Sequence, residues 1–418
     1  MLEKNSTDSS HQSQAENDYC DGVIHFGNVD WWYHNRGHAS VRMANRIAKR
    51  VPTVWINSIG MRMPVPGKTE IAWSRYWRKI KSLTRGLKRD PETGMYIYSP
   101  IFVPRYSPAM LNFNGWLLSL QVKIVCWRLK IKHPSAIVSM PTMTPAVERR
   151  KWVKVVFDRC DDFTTLPEAD KDQVWALEKR LLDISDAAAY VHEGLMEREL
   201  GLVKESVLIG HGVDFDQFVA ARPIEGQRVP IPESMRDFPK PIIGFYGGMD
   251  EYRMDVKLMI KIARHIHPGT LVLIGPKQMD LSPVLAEKNV KHIDQVSPKD
   301  LAAHAAHFDV GIIPFLQNEF NEMCNPTKLK EYLALGYPIV VMKLPAFDIY
   351  ESLIYTANSH DEFLAGIDKA LKENGPSLIE KRRATVSGSS WDKVAARVAG
   401  LLAVPEVNKI NTISLESK

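Results

Sequence analysis

The sequence is poor in cysteine and has no long hydrophobic run. Its 418 residues include four cysteines, and no two of them form a CxxC pair. This scarcity argues against a zinc ribbon and a disulfide framework, and it indicates a reducing cytoplasm. No apolar stretch approaches the roughly 18 residues that a membrane-spanning helix needs. Walker A, GxSxG and HExxH motifs are absent, as is a GxGxxG after the first predicted strand, which argues against an ATPase, an esterase, a zinc protease and a dinucleotide-dependent dehydrogenase.

The N-terminal segment also lacks the apolar core of a signal peptide. Residues 1–20, MLEKNSTDSSHQSQAENDYC, are polar and acidic, and they predict a disordered leader. The composition of the whole chain is that of a globular protein, with 45% hydrophobic and 25% charged residues. Two or three domains are expected at this length.

The net charge of +5 conceals an uneven distribution. Residues 31–133 hold 19 Lys or Arg and three Asp or Glu, a net charge of +16, so the rest of the chain carries −11. Within this region, residues 68–90 mix aromatic and basic side chains at helical spacing, which favours an amphipathic helix on an anionic membrane surface. Residues 112–132 are also basic, but a helix packed on its own domain with a solvated basic face is the preferred interpretation there. No RNP, KH or helix-turn-helix pattern is present, so no nucleic-acid partner is expected.

Short β-branched runs alternate with helical patterns in both halves of the chain, which predicts an α/β fold with parallel sheets covered on both faces. Prolines without periodicity mark a linker between the halves. Ligands of doubly wound domains bind at the carboxyl ends of the strands, so we expect a site in a cleft between two such domains. The predicted organisation is a leader at 1–20, a first domain at 21–218, a linker at 219–240, a second domain at 241–385, a helix at 386–405 that packs back on the first domain, and a tail at 406–418.

One block, CNPTKLKEYLALGYPIVV at residues 324–341, combines a helix start with a lysine and a glutamate. Asn325 or Pro326 is expected to open the helix, which places Lys328 in its first turn. A helix N-terminus with such a lysine is an anion site suited to a diphosphate. Glu331 follows one turn later on the same face, where its carboxylate could accept two hydrogen bonds from a ribose. An ordinary capped helix with a Lys328–Glu331 ion pair is the alternative.

The segment NPTKLKEYLALGYPIV resembles the C-terminal nucleotide-sugar motif of GT-B glycosyltransferases. In that family the lysine holds the donor diphosphate and the glutamate binds the ribose, roles that would fall on Lys328 and Glu331. Residues 207–218, 242–259 and 271–276 are similar to further stretches of the family, in the same order. The resemblance implies the GT-B fold, in which two Rossmann-like, doubly wound domains face a central cleft. The first domain would then bind the acceptor and associate with the membrane, and the second would bind the nucleotide sugar.

The resemblance also implies a set of donor-binding residues. Gly247 and Gly248 would let the backbone approach a phosphate or sugar closely. Met249 and Phe315 fall at predicted strand ends, where a uracil or sugar would lie, and plain core packing is the alternative for both. The expected donor-binding residues are Gly247, Gly248, Met249, Phe315, Asn325, Thr327, Lys328 and Glu331. Lys328 is also expected to act in catalysis.

Candidate acceptor-binding and catalytic residues lie in the first domain. The sequence GHGVD is similar to that of xanthan-type glucuronosyltransferases, in which VVFDRCDDF would carry the catalytic aspartate at Asp161, acting as general base. The first loop is similar to that of related cell-wall enzymes, with Asp30 at its acidic position, and His38 could touch acceptor or phosphate. For the cluster of Asp158, Asp161 and Asp162, helix capping or solvent exposure is the alternative. No metal is expected.

One departure from the family bears on stereochemistry. Many retaining members carry an acid eight residues before the ribose-binding glutamate. Here that position is Met323, and Glu319 and Glu322 lie out of register. Inversion and retention therefore stay open.

The resemblance and the basic surface together predict a glycosyltransferase that moves a sugar from a UDP-sugar donor to a lipid-linked saccharide acceptor, in synthesis of a bacterial exopolysaccharide or another cell-surface polysaccharide. A hexosyltransferase is expected, with glucuronosyl transfer as a narrower option. The UDP-sugar is a substrate, and no cofactor is expected. The predicted location is cytoplasmic, peripheral on the inner face of the plasma membrane. The alternative is a non-catalytic, membrane-associated protein of the same fold that binds a nucleotide sugar or a sugar.

Overall fold

Two units, each with its own parallel sheet and its own buried core, make up the chain. The computed structural model describes residues 19–33, 37–60, 81–82, 84–166, 170–224, 229–373 and 375–406. Unit 1 consists of Met1–Gly210 with Asp392–Lys418, and unit 2 consists of His211–Trp391. The predicted fold class, α/β with two Rossmann-like domains, is confirmed.

In the sheet of unit 1, the strand order reverses at the first described strand. Its strands are β1 (Gly22–Phe26), β2 (Thr53–Ile56), β3 (Leu87–Arg89), β4 (Tyr96–Tyr98), β5 (Pro134–Val138), β6 (Val155–Arg159), β7 (Ala187–Tyr190) and β8 (Ser206–Leu208). Within the described ranges they pair in the order β3-β4-β2-β1-β5-β6-β7-β8, and all pairs are parallel except β3 with β4. The topological switch point therefore lies between β1 and β5. Ligands of such sheets bind at the carboxyl ends of the two strands that flank the switch point.

Helices of unit 1 cover this sheet. They are α1 (Ala39–Ile47), α2 (Pro108–Leu129), α3 (Thr144–Val147), α4 (Lys171–Ile184) and α5 (Glu193–Arg198). The 22-residue α2 starts with a proline, which is favourable at the first helical position, and ends at Lys130 in the left-handed region. Its inner face buries Leu118, Val122 and Val125 in the core of the unit. None of the described helices is both long enough and apolar enough to span a bilayer.

Unit 2 carries a second parallel sheet. Its strands are β9 (Ile242–Tyr246), β10 (Thr270–Ile274), β11 (Val290–Ile293), β12 (Val310–Ile313), β13 (Ile339–Met342) and β14 (Tyr355–Ala357). In the part of the chain that the structure describes, their order is β11-β10-β9-β12-β13-β14, and every pair is parallel. The switch point of this sheet lies between β9 and β12.

Five of the described helices of unit 2 lie in the connections between its strands, one precedes the first strand and two follow the last. They are α6 (Phe215–Ala221), α7 (Val256–His265), α8 (Ser282–Leu285), α9 (Pro298–Ala305), α10 (Glu319–Glu322), α11 (Thr327–Leu335), α12 (His360–Leu371) and α13 (Pro376–Ser387). The last described helix, α14 (Trp391–Leu401), lies in unit 1 from Asp392 onward. The residues after it bond within that unit: the Ser135 hydroxyl donates to the carbonyl of Leu402 at 2.7 Å, and Cys20 N–H donates to the carbonyl of Ala403 at 3.0 Å.

Two sequence predictions need correction. The segment 219–240 was predicted as a linker, but Ala221 and Met235 are buried in the core of unit 2, so this stretch belongs to that unit. The predicted basic helix at 68–90 lies mostly outside the described residues. At its end, Leu87–Arg89 is the edge strand β3, because these residues pair antiparallel with β4.

Candidate functional site

The switch point of unit 2 gathers several of the predicted donor-binding residues. Gly247 directly follows β9, and its φ of 135° lies where side chains are rarely tolerated. Gly275 follows β10 with the same φ of 135° and packs against the carbonyl of Gly247. These two turns bring bare backbone to the carboxyl ends of the central strands.

Lys328 reaches this backbone from helix α11. The helix begins at Thr327, so Lys328 is its second residue, and the side chain lies against Gly247. The Lys328 Nζ is 4.9 Å from the ring centroid of Phe245 and 4.7 Å from that of Phe315. The first-turn N–H groups of a helix have no partner within the helix, and together with a cation they suit an anion.

The surroundings of Lys328 leave its charge poorly neutralised. The carboxylates of Glu331 and Asp250 lie near enough to raise the pKa of Lys328, but the effect of burial outweighs theirs. Burial, and to a smaller extent the positive charge of Arg253, lowers the pKa of Lys328 to about 7. An anionic ligand would relieve both effects.

Arg253 is a further candidate site residue, which sequence reasoning missed. Its guanidinium stacks on the ring of Phe320 at 4.5 Å, and its Nε is 3.8 Å from a carboxylate oxygen of Asp250. The loop is fixed because the carbonyl of Arg253 accepts from Leu316 N–H at 2.8 Å, beyond the end of β12. The arginine follows the glycine pair in sequence, but only the pairing of two loops brings its charge close to Lys328.

Glu331 lies next to the same turn. It is 5% exposed, and its Oε2 accepts a hydrogen bond from the hydroxyl of Tyr246 at 2.9 Å. Burial and the nearby carboxylate hold the pKa of Tyr246 well above its usual range, so the phenol stays a donor. Because Tyr246 ends β9 and Gly247 follows it, the carboxylate of Glu331 is fixed beside the Lys328 turn.

The remaining predicted donor residues divide into two groups. Asn325 and Thr327 are half-buried at the start of α11, consistent with access to a ligand there. Met249 and Phe315 are fully buried, which favours the alternative of core packing for both. The ring of Phe315 instead makes a cation–π contact with the ammonium of Lys328.

The backbone of Met249 makes hydrogen bonds in both directions. Met249 N–H donates to the carbonyl of Pro276 at 3.3 Å, and its carbonyl accepts from Gln278 N–H at 3.1 Å. Met249 thus links the loops after β9 and β10. Gly248 has more room, since a Cβ there would lie 3.5 Å from the nearest atom, Oδ2 of Asp250.

In unit 1 a buried chain of polar groups crosses the switch point. Asp158 Oδ2 accepts from the hydroxyls of Ser40 at 2.7 Å and Ser139 at 2.6 Å. Ser139 Oγ is also 2.8 Å from His25 Nε2, and because the serine proton is used on Asp158, Nε2 carries the proton that His25 donates. Burial raises the pKa of Asp158 and lowers that of His25 to about 3, with a smaller contribution from His38.

The three predicted acceptor residues all lie in loops that follow strands of unit 1. Asp161 follows β6 and is partly exposed, whereas Asp30 is buried and accepts from Trp32 N–H at 3.1 Å. His38 is at the N-cap of α1. The loops after β1 and β6 meet where Asn28 Nδ2 is 3.3 Å from Cys160 Sγ.

Asp162 has a structural role. It accepts from Thr164 N–H at 3.1 Å and pairs with Arg198 at 2.7 Å, so the predicted alternative of helix capping holds for this member of the cluster. Within the described residues, no group of three His, Cys, Asp or Glu side chains is arranged to hold a metal.

Beneath this edge, Arg159 is fully buried in an ion cluster. Its guanidinium bonds Glu178 at 2.5 and 2.9 Å and Glu199 at 2.7 Å. The hydroxyl of Tyr190 donates to Glu199 at 3.1 Å. Since Arg159 ends β6 and also donates to the carbonyl of Asp161 at 2.9 Å, the cluster fixes the start of the loop that carries Asp161.

Solved structures with the same two-unit fold cover nearly all of this chain. Sucrose-phosphate synthase from Thermosynechococcus elongatus matches with a TM-score of 0.64 at 12% identity, covering 91% of this chain and 98% of its own. An E. coli structure described as trehalose-6-phosphate bound with UDP-2-fluoro glucose matches with a TM-score of 0.61 at 12% identity, covering 92% and 99%. The Anabaena protein HepE in complex with UDP and glucose matches with a TM-score of 0.60 at 10% identity, covering 93% and 100%. The fold is therefore GT-B.

Sequence comparison points to the same group of proteins. Residues 240–373 match the family model described as glycosyl transferases group 1. TuaH of Bacillus subtilis (strain 168), named as a glycosyltransferase of teichuronic acid biosynthesis, is 24% identical over 261 residues, which cover 56% of this chain and 63% of TuaH. The second half of the chain is thus similar to group 1 glycosyl transferases, and the chain as a whole has the GT-B fold.

Proposed function

We propose that this protein is a glycosyltransferase that moves a sugar from a UDP-sugar to a lipid-linked saccharide during synthesis of a bacterial cell-surface polysaccharide, an exopolysaccharide included. A hexosyl donor is proposed, and a glucuronosyl donor would be one case of it. The UDP-sugar is a substrate, so the proposal needs no cofactor. The proposed location is the inner face of the plasma membrane, where the protein binds peripherally.

The observation that carries the donor proposal is the position of Lys328. Its ammonium lies at the first turn of α11, against Gly247, with the charge of Arg253 near enough to lower its pKa. Two cations, a helix N-terminus and bare backbone are complementary to a pyrophosphate. One turn further along α11, Glu331 would accept hydrogen bonds from the ribose of the same nucleotide.

In the proposed reaction, the bond between the sugar C1 and the diphosphate oxygen breaks as an acceptor hydroxyl oxygen bonds to C1. The negative charge that develops on the leaving diphosphate would be stabilised by Lys328, Arg253 and the N-terminus of α11. If the reaction inverts, Asp161 would take the proton of the acceptor hydroxyl. Asp161 suits this role better than Asp158, because Asp158 is buried and holds two serine hydroxyls. Asp30 and His38 would help to bind the acceptor.

A comparison of two lysine variants tests the donor site. Lys328→Ala should lower kcat/KM by at least a hundredfold and weaken UDP binding, since the diphosphate loses a charge-assisted bond. Lys257→Ala, at an exposed position of the same unit, is the matched control and should behave as wild type. Circular dichroism and urea unfolding check that both variants fold. Unchanged turnover in Lys328→Ala would refute the assignment.

A donor panel tests the reaction and its substrates. Purified protein, a membrane extract and a set of UDP-sugars would be combined, with release of UDP and mass spectrometry of the glycolipid fraction as readouts. Transfer of one sugar to a lipid-linked product supports the proposal and names the donor. UDP-sugar binding without turnover, under conditions where the extract supplies acceptor to a known transferase, would instead indicate a binding protein of the same fold.

A further inference from the structure

We infer that the outer face of helix α2 docks unit 1 on an anionic bilayer surface. Five large apolar side chains on this 22-residue helix are exposed and form what we term the apolar stripe: Phe113, Trp116, Leu120, Ile124 and Trp127. At about 100° per residue, they fall within an arc of about 80°, so they form one line along the helix. The helix is therefore apolar on two opposite sides, with one side in the core and the other in solvent.

The exposure of the apolar stripe is large. Trp116 is 53% exposed, Ile124 55% and Trp127 80%. Contiguous exposed apolar surface of this kind marks an interaction site. The sequence interpretation of residues 112–132, a packed helix with a solvated basic face, agrees with the buried inner face and the exposed Lys123 and Arg128, but it did not anticipate the aromatic and aliphatic side chains on the solvent side.

The helix is held so that this face points outward. On its inner side Gly115 packs directly on Pro145 of α3, where a side chain would not fit. Gln121 accepts from Ile101 N–H at 2.8 Å and donates to Ile101 O at 2.9 Å, and Asn114 accepts from Val103 N–H at 2.8 Å. These bonds anchor the preceding loop to the inner side of α2.

Charge identifies the occupant as an anionic surface. Between Glu92 and Glu148 the sequence has five Lys or Arg and no Asp or Glu. Lys123 and Arg128 flank the stripe on α2, and Lys130 and Lys132 follow its end; all four are exposed. Long basic side chains can extend to headgroups while tryptophans occupy the interface below them. A second copy of this face would bring like charges together, which disfavours a dimer through the stripe.

The length of the stripe suits a helix lying in the bilayer plane. From Phe113 to Trp127 it extends about 21 Å at 1.5 Å per residue. A helix in this orientation buries one face at the boundary between headgroups and acyl chains, as interfacial helices do. This inference rests on the proposed function and assigns its membrane contact to one surface of unit 1. Vesicle binding needs neither donor nor acceptor, so the proposed function and the docking surface can fail separately.

Vesicle flotation with a matched pair of triple variants tests the inference. Wild type should float with phosphatidylcholine vesicles that contain phosphatidylglycerol and much less with phosphatidylcholine alone. The variant Trp116→Gln/Ile124→Gln/Trp127→Gln should bind at least tenfold more weakly, while retaining its circular dichroism spectrum and its affinity for UDP. The control variant Leu200→Gln/Ile224→Gln/Ile349→Gln makes the same kind of change at exposed positions elsewhere and should bind as wild type.

Two further measurements separate insertion from attraction by charge alone. Lys123→Gln/Arg128→Gln should weaken binding about tenfold and reduce its salt dependence, whereas Lys257→Gln/Lys381→Gln should not. Phosphatidylglycerol brominated in its acyl chains should quench tryptophan fluorescence in wild type and less in the stripe variant. Three results would each overturn the inference. The stripe variant could bind vesicles as tightly as wild type, or wild type could bind neutral and anionic vesicles equally. Wild type could also form a concentration-dependent dimer that only the stripe substitutions abolish.

Discussion

The side chain of Lys328 occupies the space that a side chain at Gly247 would need. A Cβ built on Gly247 would lie 3.1 Å from Lys328 Cε and 3.2 Å from Nζ. The glycine and the lysine thus form a single unit, in which an absent side chain leaves room for a charged one.

The first prediction concerns this pair. Gly247→Ala should destabilise the protein by about 1–3 kcal/mol, because the residue adopts a φ of 135°, and it should weaken UDP binding because Lys328 is displaced. Gly248→Ala is the control, since its nearest neighbour would be 3.5 Å away, and it should change stability by less than about 1 kcal/mol. Urea unfolding and titration calorimetry with UDP measure both quantities. Equal stability of the two variants would contradict the prediction.

The second prediction is a pH dependence of donor binding. The pKa of Lys328 is lowered to about 7, so the free protein loses this proton above neutrality. A bound diphosphate favours the charged form, so binding UDP-glucose above pH 7 should take up a proton, and affinity should fall by up to about tenfold per pH unit. Below pH 7 this residue is already protonated and should contribute no slope.

Calorimetry in buffers of different ionisation enthalpy measures this proton uptake. Lys328→Arg keeps its charge throughout the range, so its uptake at pH 8 should vanish. An uptake in the arginine variant equal to that of wild type would show that another group titrates.

The third prediction concerns the support of Glu331. Tyr246→Phe removes the hydroxyl that donates to Glu331 at 2.9 Å, so the carboxylate should lose its fixed orientation. We expect UDP affinity to fall by about fivefold to tenfold, the value of one hydrogen bond of about 1–1.5 kcal/mol. Tyr332→Phe is the control, because its hydroxyl makes only a long contact of 3.4 Å to Ile312 O.

A comparison of ligands shows whether Tyr246 acts through the ribose contact. With dUDP, which lacks the ribose 2′-hydroxyl, the effect of Tyr246→Phe should be smaller than with UDP. The same loss with both nucleotides would argue for a purely structural role.

The fourth prediction concerns the buried ion cluster. Glu199→Gln removes one charged partner of the fully buried Arg159 and should cost about 3–5 kcal/mol of unfolding free energy. Glu148→Gln breaks a pair with Arg180 whose side chains are partly exposed, and it should cost about 0–1 kcal/mol. Denaturant unfolding of both variants at neutral pH compares them. Similar small losses would mean that the cluster contributes little to stability.

Much of the fold was predictable because local signals agree. The helix that starts near Pro326, with Lys328 in its first turn and Gly336 after its end, follows from capping rules and matches α11. Helix α13 was missed because its buried face carries Arg382 and Arg383 in place of apolar residues. These arginines donate to backbone carbonyls, including Ala334 O at 3.0 Å, which only the folded chain brings near.

The candidate site was predictable only in part. A strand-end position predicts that a residue lies near the site, but it does not fix which way the side chain points, and this is why Met249 was expected at the ligand and is in the core. Arg253 was missed because its role depends on two loops meeting. For α2, apolar residues on both sides of the helix left the choice of buried face to tertiary packing.

Gly275 is a second position in unit 2, besides Gly247, at which we expect no side chain to be tolerated. Any side chain at Gly275 would collide with the carbonyl of Gly247. A side chain at Gly275 would therefore displace the turn that carries Gly247. Substitutions intended to alter the donor preference of this protein should therefore leave both glycines unchanged.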